Sequence, residues 1–83
     1  MSQEPIPPLS HLAKSIVVGS LYEHYKGLRY KILAVGRHSE SLEEFVVYEA
    51  LYGDLDIWVR PLSLFTENVI YNEQIRPRFA LVV

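Results

Sequence analysis

Three histidines are the side chains best suited to bind a metal or to move a proton at neutral pH: His11, His24 and His38. No two of them have the H-x-H or H-x-x-x-H spacing that brings imidazoles together on one strand or one helix face. The sequence therefore predicts no metal and no cofactor. Two alternatives stay open: a metal site built from His38, Glu40 and a third strand, and a small hydrolase or transferase with His24 or His38 as general base.

The sequence offers little nucleophile chemistry. Ser39 follows His38 directly, but catalytic triads are assembled by the fold from separate segments. Asp54 and Asp56 are paired carboxylates that follow Gly53 in a turn, where aspartate serves hairpin geometry. There is no G-x-S-x-G elbow and no glycine-rich phosphate loop. We predict no catalytic residue.

Aromatic side chains are the most informative group: six tyrosines, three phenylalanines and one tryptophan lie between residues 22 and 79. Tyr and Trp line grooves that hold extended ligands, because their rings offer apolar area while their polar edges stay hydrated. Arginine beside them adds cation–π contacts and base stacking. Core packing accounts for about half of the rings. The others, with neighbouring polar residues, form the candidate binding surface: Tyr25, Arg37, His38, Tyr52, Trp58 and Arg60.

Charge is arranged in two blocks within a net charge of −2. Every charged residue from His24 to His38 is basic, and every one from Ser39 to Ile57 is acidic. If the two segments pair as neighbouring strands, opposite charges face each other across the ladder. The negative sum argues against a general nucleic-acid binder.

The 83 residues, 49% of them apolar, fit one small domain. We expect residues 1–19 to form a proline-stiffened tail and a possible short helix over 11–18, and residues 20–83 to form the folded domain. The start lacks the basic segment of a secretory signal, and no apolar run is long enough to span a membrane. With no cysteine to oxidise, the chain suits the reducing cytoplasm, where we expect it.

After Gly19 the pattern predicts an all-β domain of short strands over 21–25, 30–38, 43–52, 57–60, 69–71 and 79–83. Pro61 is expected to end the fourth strand, and a single 3₁₀ turn is expected over 62–65. This layout is typical of a small SH3-like antiparallel barrel of five or six strands, with an OB-like barrel as the alternative.

Several separate blocks of this sequence resemble one known family. They are Tyr22-x-His24-Tyr25-Lys26-Gly27, Tyr30-x-x-Leu33-x-Val35-x-Arg37-His38-Ser39-Glu40, Val46-Val47-Tyr48-x-Ala50-Leu51-Tyr52-Gly53-Asp54, Trp58-Val59-Arg60-Pro61-Leu62, Phe65-x-Glu67-x-Val69 and Pro77-Arg78-Phe79. In this order, over residues 20–82, they resemble the bacterial domain-of-unknown-function family 1653. The resemblance implies an SH3-type barrel and brings no activity with it.

The function that these observations favour is a non-catalytic module whose aromatic and arginine surface binds a peptide, a protein segment or nucleic acid. A small enzyme and a subunit that only assembles are the alternatives. We also expect a homodimer to which the N-terminal helix contributes. A four-residue turn over 53–56 would set Glu49 against Arg60 and leave Phe45, Val47, Leu51 and Trp58 as an outward apolar patch. Trp58 and Arg60 are then expected on the outer face.

Overall fold

Seven strands and two single-turn helices follow one another along residues 6–83, the part of the chain that the computed structural model describes. The first five residues of the expected tail lie outside this range. The mainly β, antiparallel fold predicted from the sequence is confirmed. In chain order the elements are α1 (His11–Lys14), β1 (Leu21–His24), β2 (Arg29–Arg37), β3 (Glu44–Ala50), β4 (Ile57–Pro61), α2 (Leu62–Phe65), β5 (Asn68–Tyr71), β6 (Gln74–Pro77) and β7 (Phe79–Leu81).

Five strands form one antiparallel sheet in the order β4-β3-β2-β1-β7, and β5 pairs with β6 in a separate hairpin. The predicted pairing of the second strand with the third, and of the third with the fourth, is confirmed. Lys31 lies opposite Glu49 and Arg37 opposite Glu44, so the basic and acidic blocks do face each other. Within residues 6–83, β4 and β7 are the outer strands and do not pair with each other. Closure into an SH3-like barrel stays a prediction.

The core lies on one face of this sheet, which we call the inner face and define by Tyr30, Ile32, Val46 and Tyr48. Ile32 and Val46 are completely buried. The pairing of β2 with β3 shifts between Ile32 and Ala34, so Leu33 is an extra residue in a β-bulge. The bulge shifts the alternation of β2, so Val35 rather than Ala34 lies opposite Val46 on the inner face and packs against the core.

Helix α1 packs into this same core. The Ser10 hydroxyl accepts from the Ala13 backbone N–H at 3.0 Å, which is N-cap geometry. The helix ends at Lys14, four residues earlier than predicted, but Ala13 and Ile16 are both buried in the core while Leu12 stays exposed. The core therefore extends across the expected boundary between residues 19 and 20.

Pro61 belongs to β4 and also precedes α2, where the sequence predicted the strand to stop at Arg60. The turn that follows is α-helical rather than 3₁₀, since the Thr66 N–H donates to the Leu62 carbonyl at 3.0 Å. Leu62 and Phe65 are buried, as expected for residues that cap the core. A further strand, β6, lies where the sequence suggested only a connection.

The β3–β4 hairpin has a longer loop than the sequence suggested. Glu49 pairs with Ile57, and Tyr48 pairs with Trp58, so the predicted opposition of Glu49 and Arg60 is wrong by three residues. An odd shift in register moves every side chain of β4 to the other face of the sheet. No helix in residues 6–83 is both long enough and apolar enough to cross a membrane.

Candidate functional site

Aromatic rings fill the inner face and meet around Phe79, the first residue of β7. The Phe79 ring stacks on Phe65 at 4.2 Å and contacts Tyr48 at 5.4 Å and Tyr30 at 5.7 Å between ring centroids. His24 meets the same ring edge-on at 5.0 Å. Such edge and stacked contacts add to the burial energy of the rings themselves. We call this cluster of rings the aromatic floor; its phenylalanine and tyrosine members are all buried.

Arg60 lies beside this floor, on the strand at the edge of the sheet. Its Nε donates to the Tyr48 hydroxyl at 3.2 Å, and its guanidinium carbon lies 5.6 Å from the centre of the Phe79 ring. Only Nε is used in that bond, so the terminal nitrogens keep donors for a further acceptor. Neither ion pair in the described part of the chain includes Arg60.

The surroundings of His24 are electropositive. Burial lowers the pKa of this imidazole, and the positive charges of Arg60, Arg78 and Lys26 lower it further. The imidazole is therefore held neutral more strongly than usual. Its Nδ1 accepts the backbone N–H of Lys26 at 3.2 Å, a contact that supports the β1–β2 turn.

Two tyrosine hydroxyls meet beside the aromatic floor. The Tyr30 and Tyr52 hydroxyl oxygens are 2.5 Å apart, and the two rings meet edge-on. Burial raises the pKa of Tyr30, and the hydrogen bond with Tyr52 raises it further. The Tyr30 phenol therefore stays protonated at neutral pH, and it can donate or accept a hydrogen bond but does not act as a base.

Trp58 and Arg60 share a face of β4 as predicted, but it is the inner face and not the outer one. Trp58 lies opposite Tyr48 and Arg60 opposite Val46, and paired residues of neighbouring strands point to the same side. Ile57 and Val59 occupy the outer face instead. The cause is the hairpin register described above. Phe45 and Val47 lie on the outer face of β3 whereas Trp58 lies on the inner face, so the expected patch of Phe45, Val47, Leu51 and Trp58 does not form on one face.

The β4 edge, which we define as Ile57, Trp58 and Val59, is unusually open. Their side chains are 61%, 51% and 61% exposed, although all three residues are large and apolar. On one side β4 pairs with β3, and on the other it is the end of the sheet in residues 6–83. Apolar side chains thus project from both faces of an outer strand.

The predicted site residues divide into two groups. Tyr52, Trp58 and Arg60 lie on or beside the aromatic floor, and Tyr25 joins it because its ring tilts against His24 at 4.3 Å. Arg37 and His38 lie elsewhere, at the end of β2. There they line an outer groove with Phe45, Val47 and Val59.

Arg37 and His38 have visible structural roles at that end of the sheet. Arg37 donates to the carbonyl oxygen of Pro7, which ties the N-terminal segment to β2. His38 Nδ1 accepts the backbone N–H groups of Glu40 and Ser41 at 3.1 and 3.2 Å. This pair of contacts shapes the loop between β2 and β3.

Sequence reasoning missed three members of the floor, Tyr30, Tyr48 and Phe79. They lie on β2, β3 and β7, and only the pairing of strands through β1 brings them together. Within residues 6–83, no three histidine, aspartate or glutamate side chains converge on a point that could hold a metal ion.

Comparison with known proteins agrees with the sequence resemblance. The family model described as a protein of unknown function, DUF1653, matches residues 20–81. A crystal structure of a DUF1653 protein from Bordetella bronchiseptica is similar, with a TM-score of 0.72 and 34% sequence identity. The similarity covers 82% of this chain and 90% of that one. A comparison with curated proteins found no significant match.

Proposed function

Because the chain belongs to the DUF1653 family, whose description carries no activity, we propose a function from its geometry: a non-catalytic binding module for an extended polypeptide segment. The segment adds to the sheet as a further strand along the β4 edge. Trp58 and Arg60 contact its side chains on the inner face, and Ile57 and Val59 contact those on the outer face.

The observation that carries this proposal is the exposure of the β4 edge. Outer strands are normally protected by charges, by bulges or by a covering loop, because their unpaired backbone groups invite another chain. Here three consecutive apolar residues are each more than half exposed on such a strand. Apolar surface of this kind usually marks a partner site.

The backbone of β4 has N–H and C=O groups that can bond to a further strand. Ala50 donates to the Asp56 carbonyl at 2.9 Å, so these two residues form a hydrogen-bonded pair. Since such pairs alternate along antiparallel strands, Trp58 and Arg60 bond to β3, and the N–H and C=O groups of Ile57 and Val59 point away from it. Pro61 follows the same alternation, which explains how a residue without an N–H fits into β4.

A polypeptide fits this edge better than a nucleic acid does. Asp54 and Asp56 lie immediately before the β4 edge and would repel a chain of phosphates. A peptide strand needs no such charge, because its affinity comes from main-chain hydrogen bonds and from alternate side chains that contact Trp58, Arg60, Ile57 or Val59.

The enzymatic alternative receives less support from the two candidate bases. His24 Nδ1 accepts one backbone N–H of a neighbouring turn and His38 Nδ1 accepts two. Burial and then three cations, with no carboxylate among the causes, lower the pKa of His24. A general base usually has an orienting acid on its second nitrogen. Both imidazoles therefore have a structural role, because they accept hydrogen bonds from the turns that connect the strands.

Substitution of Val59 separates strand addition from other modes of binding. We expect Val59→Pro to abolish binding of segments selected from a random peptide library, because it removes an N–H that points away from β3. The fold should persist, since that N–H makes no bond within the sheet. Val59→Thr is the matched control, because it changes the side chain and keeps the N–H.

Amide hydrogen exchange locates the bound segment directly. A selected peptide should slow exchange at Ile57 and Val59, and Trp58 and Arg60 should already be protected by β3 in the free protein. Binding that leaves the Ile57 and Val59 amides in fast exchange would rule out strand addition. The cytoplasmic location expected from the sequence is part of this proposal, and fractionation of cells that express the tagged chain tests it.

A further inference from the structure

We infer that the segment bound at the β4 edge is the β4 strand of a second copy of this chain, antiparallel to the first, with the two-fold axis beside Trp58. This inference rests on the proposed function and names its partner. The result is a homodimer in which two five-stranded sheets join into one. It uses β4, and not the N-terminal helix, as the contact between subunits.

The outward backbone groups of β4 match themselves in this register. Ile57 of one copy lies opposite Val59 of the other, and the reverse pair is equivalent by symmetry. Both residues carry outward N–H and C=O groups, so each pair exchanges two hydrogen bonds and the dimer gains four. Trp58 lies opposite Trp58 of the second copy at a non-hydrogen-bonded position, where paired side chains are closest.

The ends of the strand limit the pairing to these residues. Beyond Val59, Pro61 has no N–H to donate. Before Ile57, the N–H of Leu55 already donates to the Tyr52 carbonyl at 3.1 Å within the hairpin loop. In the proposed register Leu55 of one copy faces Pro61 of the other. Neither residue has an N–H left to donate, so the ladder of hydrogen bonds ends at this pair. The interface closes where the available hydrogen-bonding groups end.

Charge complementarity selects a second copy as the occupant. In the same register Asp56 of each copy faces Arg60 of the other, also at a non-hydrogen-bonded position on the inner face. Within residues 6–83 neither side chain belongs to an internal ion pair. Arg60 donates to the Tyr48 hydroxyl through Nε alone, so its terminal nitrogens can bind the Asp56 carboxylate of the second copy. The dimer therefore gains two equivalent ion pairs.

The neighbouring symmetric registers are poorer. Centring the pair on Ile57 sets Leu55 opposite Val59, although the Leu55 N–H is already bonded. Centring it on Val59 sets Pro61 opposite Ile57 and Arg60 opposite Trp58, which loses a donor and both ion pairs. Registers one residue away from these would set the inward-bonded residues of one copy opposite the outward-bonded residues of the other.

Charge reversal tests the register. Asp56→Arg alone and Arg60→Asp alone should each weaken the dimer about tenfold or more in sedimentation equilibrium, because each replaces two attractions by two repulsions. An equimolar mixture of the two variants should form a heterodimer about as tight as the wild-type dimer, since every facing pair is then opposite in charge. Asp54→Arg is the control, because it adds the same charge outside the facing pairs and should leave assembly unchanged.

A second measurement protects the test against a variant that does not fold. In the wild-type chain, dimer formation should slow amide exchange at Ile57 and Val59 as concentration rises, and it should shift the emission of Trp58, the single tryptophan, to shorter wavelength. A dimer in which these amides stay in fast exchange, or in which the mixed variants stay monomeric although both are folded, would overturn the inference.

The two proposals fail in different ways. A chain that stays monomeric at high micromolar concentration, while a selected peptide still protects Ile57 and Val59, overturns the dimer and supports strand addition. A chain that neither dimerises through these residues nor protects them with any peptide overturns both proposals.

Discussion

Among single residues, Phe65 has the largest expected effect on stability. It is 1% exposed, stacks on Phe79 and meets Tyr22 edge-on at 5.3 Å. We expect Phe65→Ala to lower the free energy of unfolding by about 3–5 kcal/mol, because the neighbouring rings cannot close the cavity. Urea unfolding measures this. Leu64→Ala in the same helical turn is the control, since Leu64 is 43% exposed and should change little.

Glu44 couples stability to pH at the same scale. The Ser10 hydroxyl and backbone N–H donate to its carboxylate at 2.6 and 2.7 Å, and these bonds lower the pKa of Glu44 in the folded chain. Its contribution is therefore complete above the ordinary pKa of 4.5 and is lost as the pH falls through the lower, folded value.

The corresponding variant is Glu44→Gln. Its unfolding free energy should be below that of the wild type at pH 7, and the difference should shrink as the pH falls below about 4. Urea titrations at several pH values give both curves. A gap that is constant with pH would mean that the carboxylate charge is not what holds Ser10.

Among the elements, the β5–β6 hairpin carries an unfavourable turn residue. Asn72 and Glu73 both have positive φ, 51° and 63°, as a type I′ turn requires. Asparagine tolerates this conformation, but glutamate does not, and glycine is the usual second residue. We expect Glu73→Gly to stabilise the hairpin by about 1 kcal/mol, measured by urea unfolding. Glu73→Ala is the control, because it removes the charge but keeps the strain.

The same turn explains why β6 could not be predicted. Strands β5 and β6 are short, and the Asn-Glu pair that joins them lacks the glycine that identifies such hairpins in a sequence. The β3–β4 loop was misread for a related reason. Gly53 was recognised as a turn residue, but Leu55 also adopts positive φ, at 59°, and nothing in its type indicates this. The unseen turn residue changed the register and with it the face of Trp58.

For the molecule as a whole, the sequence indicated the strand order along the chain, the antiparallel hairpins and the family. Composition and alternation carry that information locally. The site was harder to predict, because β7 pairs with β1 and closes the aromatic floor from the other end of the chain. Tyr25, Tyr52, Trp58 and Arg60 were found by residue type.

The core also unites the family domain with the segment before it. Ile16 lies outside the matched residues 20–81 and is nevertheless 8% exposed within the core. We expect Ile16→Ala to lower the free energy of unfolding by about 2–5 kcal/mol, because it leaves a cavity beneath α1. Leu12→Ala is the matched control, since Leu12 is 48% exposed. Equal melting temperatures for the two variants would show that α1 is not part of the cooperative unit.

The bulge in β2 bears on how the length of this chain can change during evolution. Leu33 has no pairing partner on β3, because Ile32 and Ala34 pair with consecutive residues of that strand. If Leu33 were lost, Tyr48 and Val47 would keep the partners they now have, and every side chain would keep its face. β2 is therefore a place where a codon can be gained or lost without disturbing the strands around it. Relatives with one residue fewer in β2 would be expected to share this architecture unchanged.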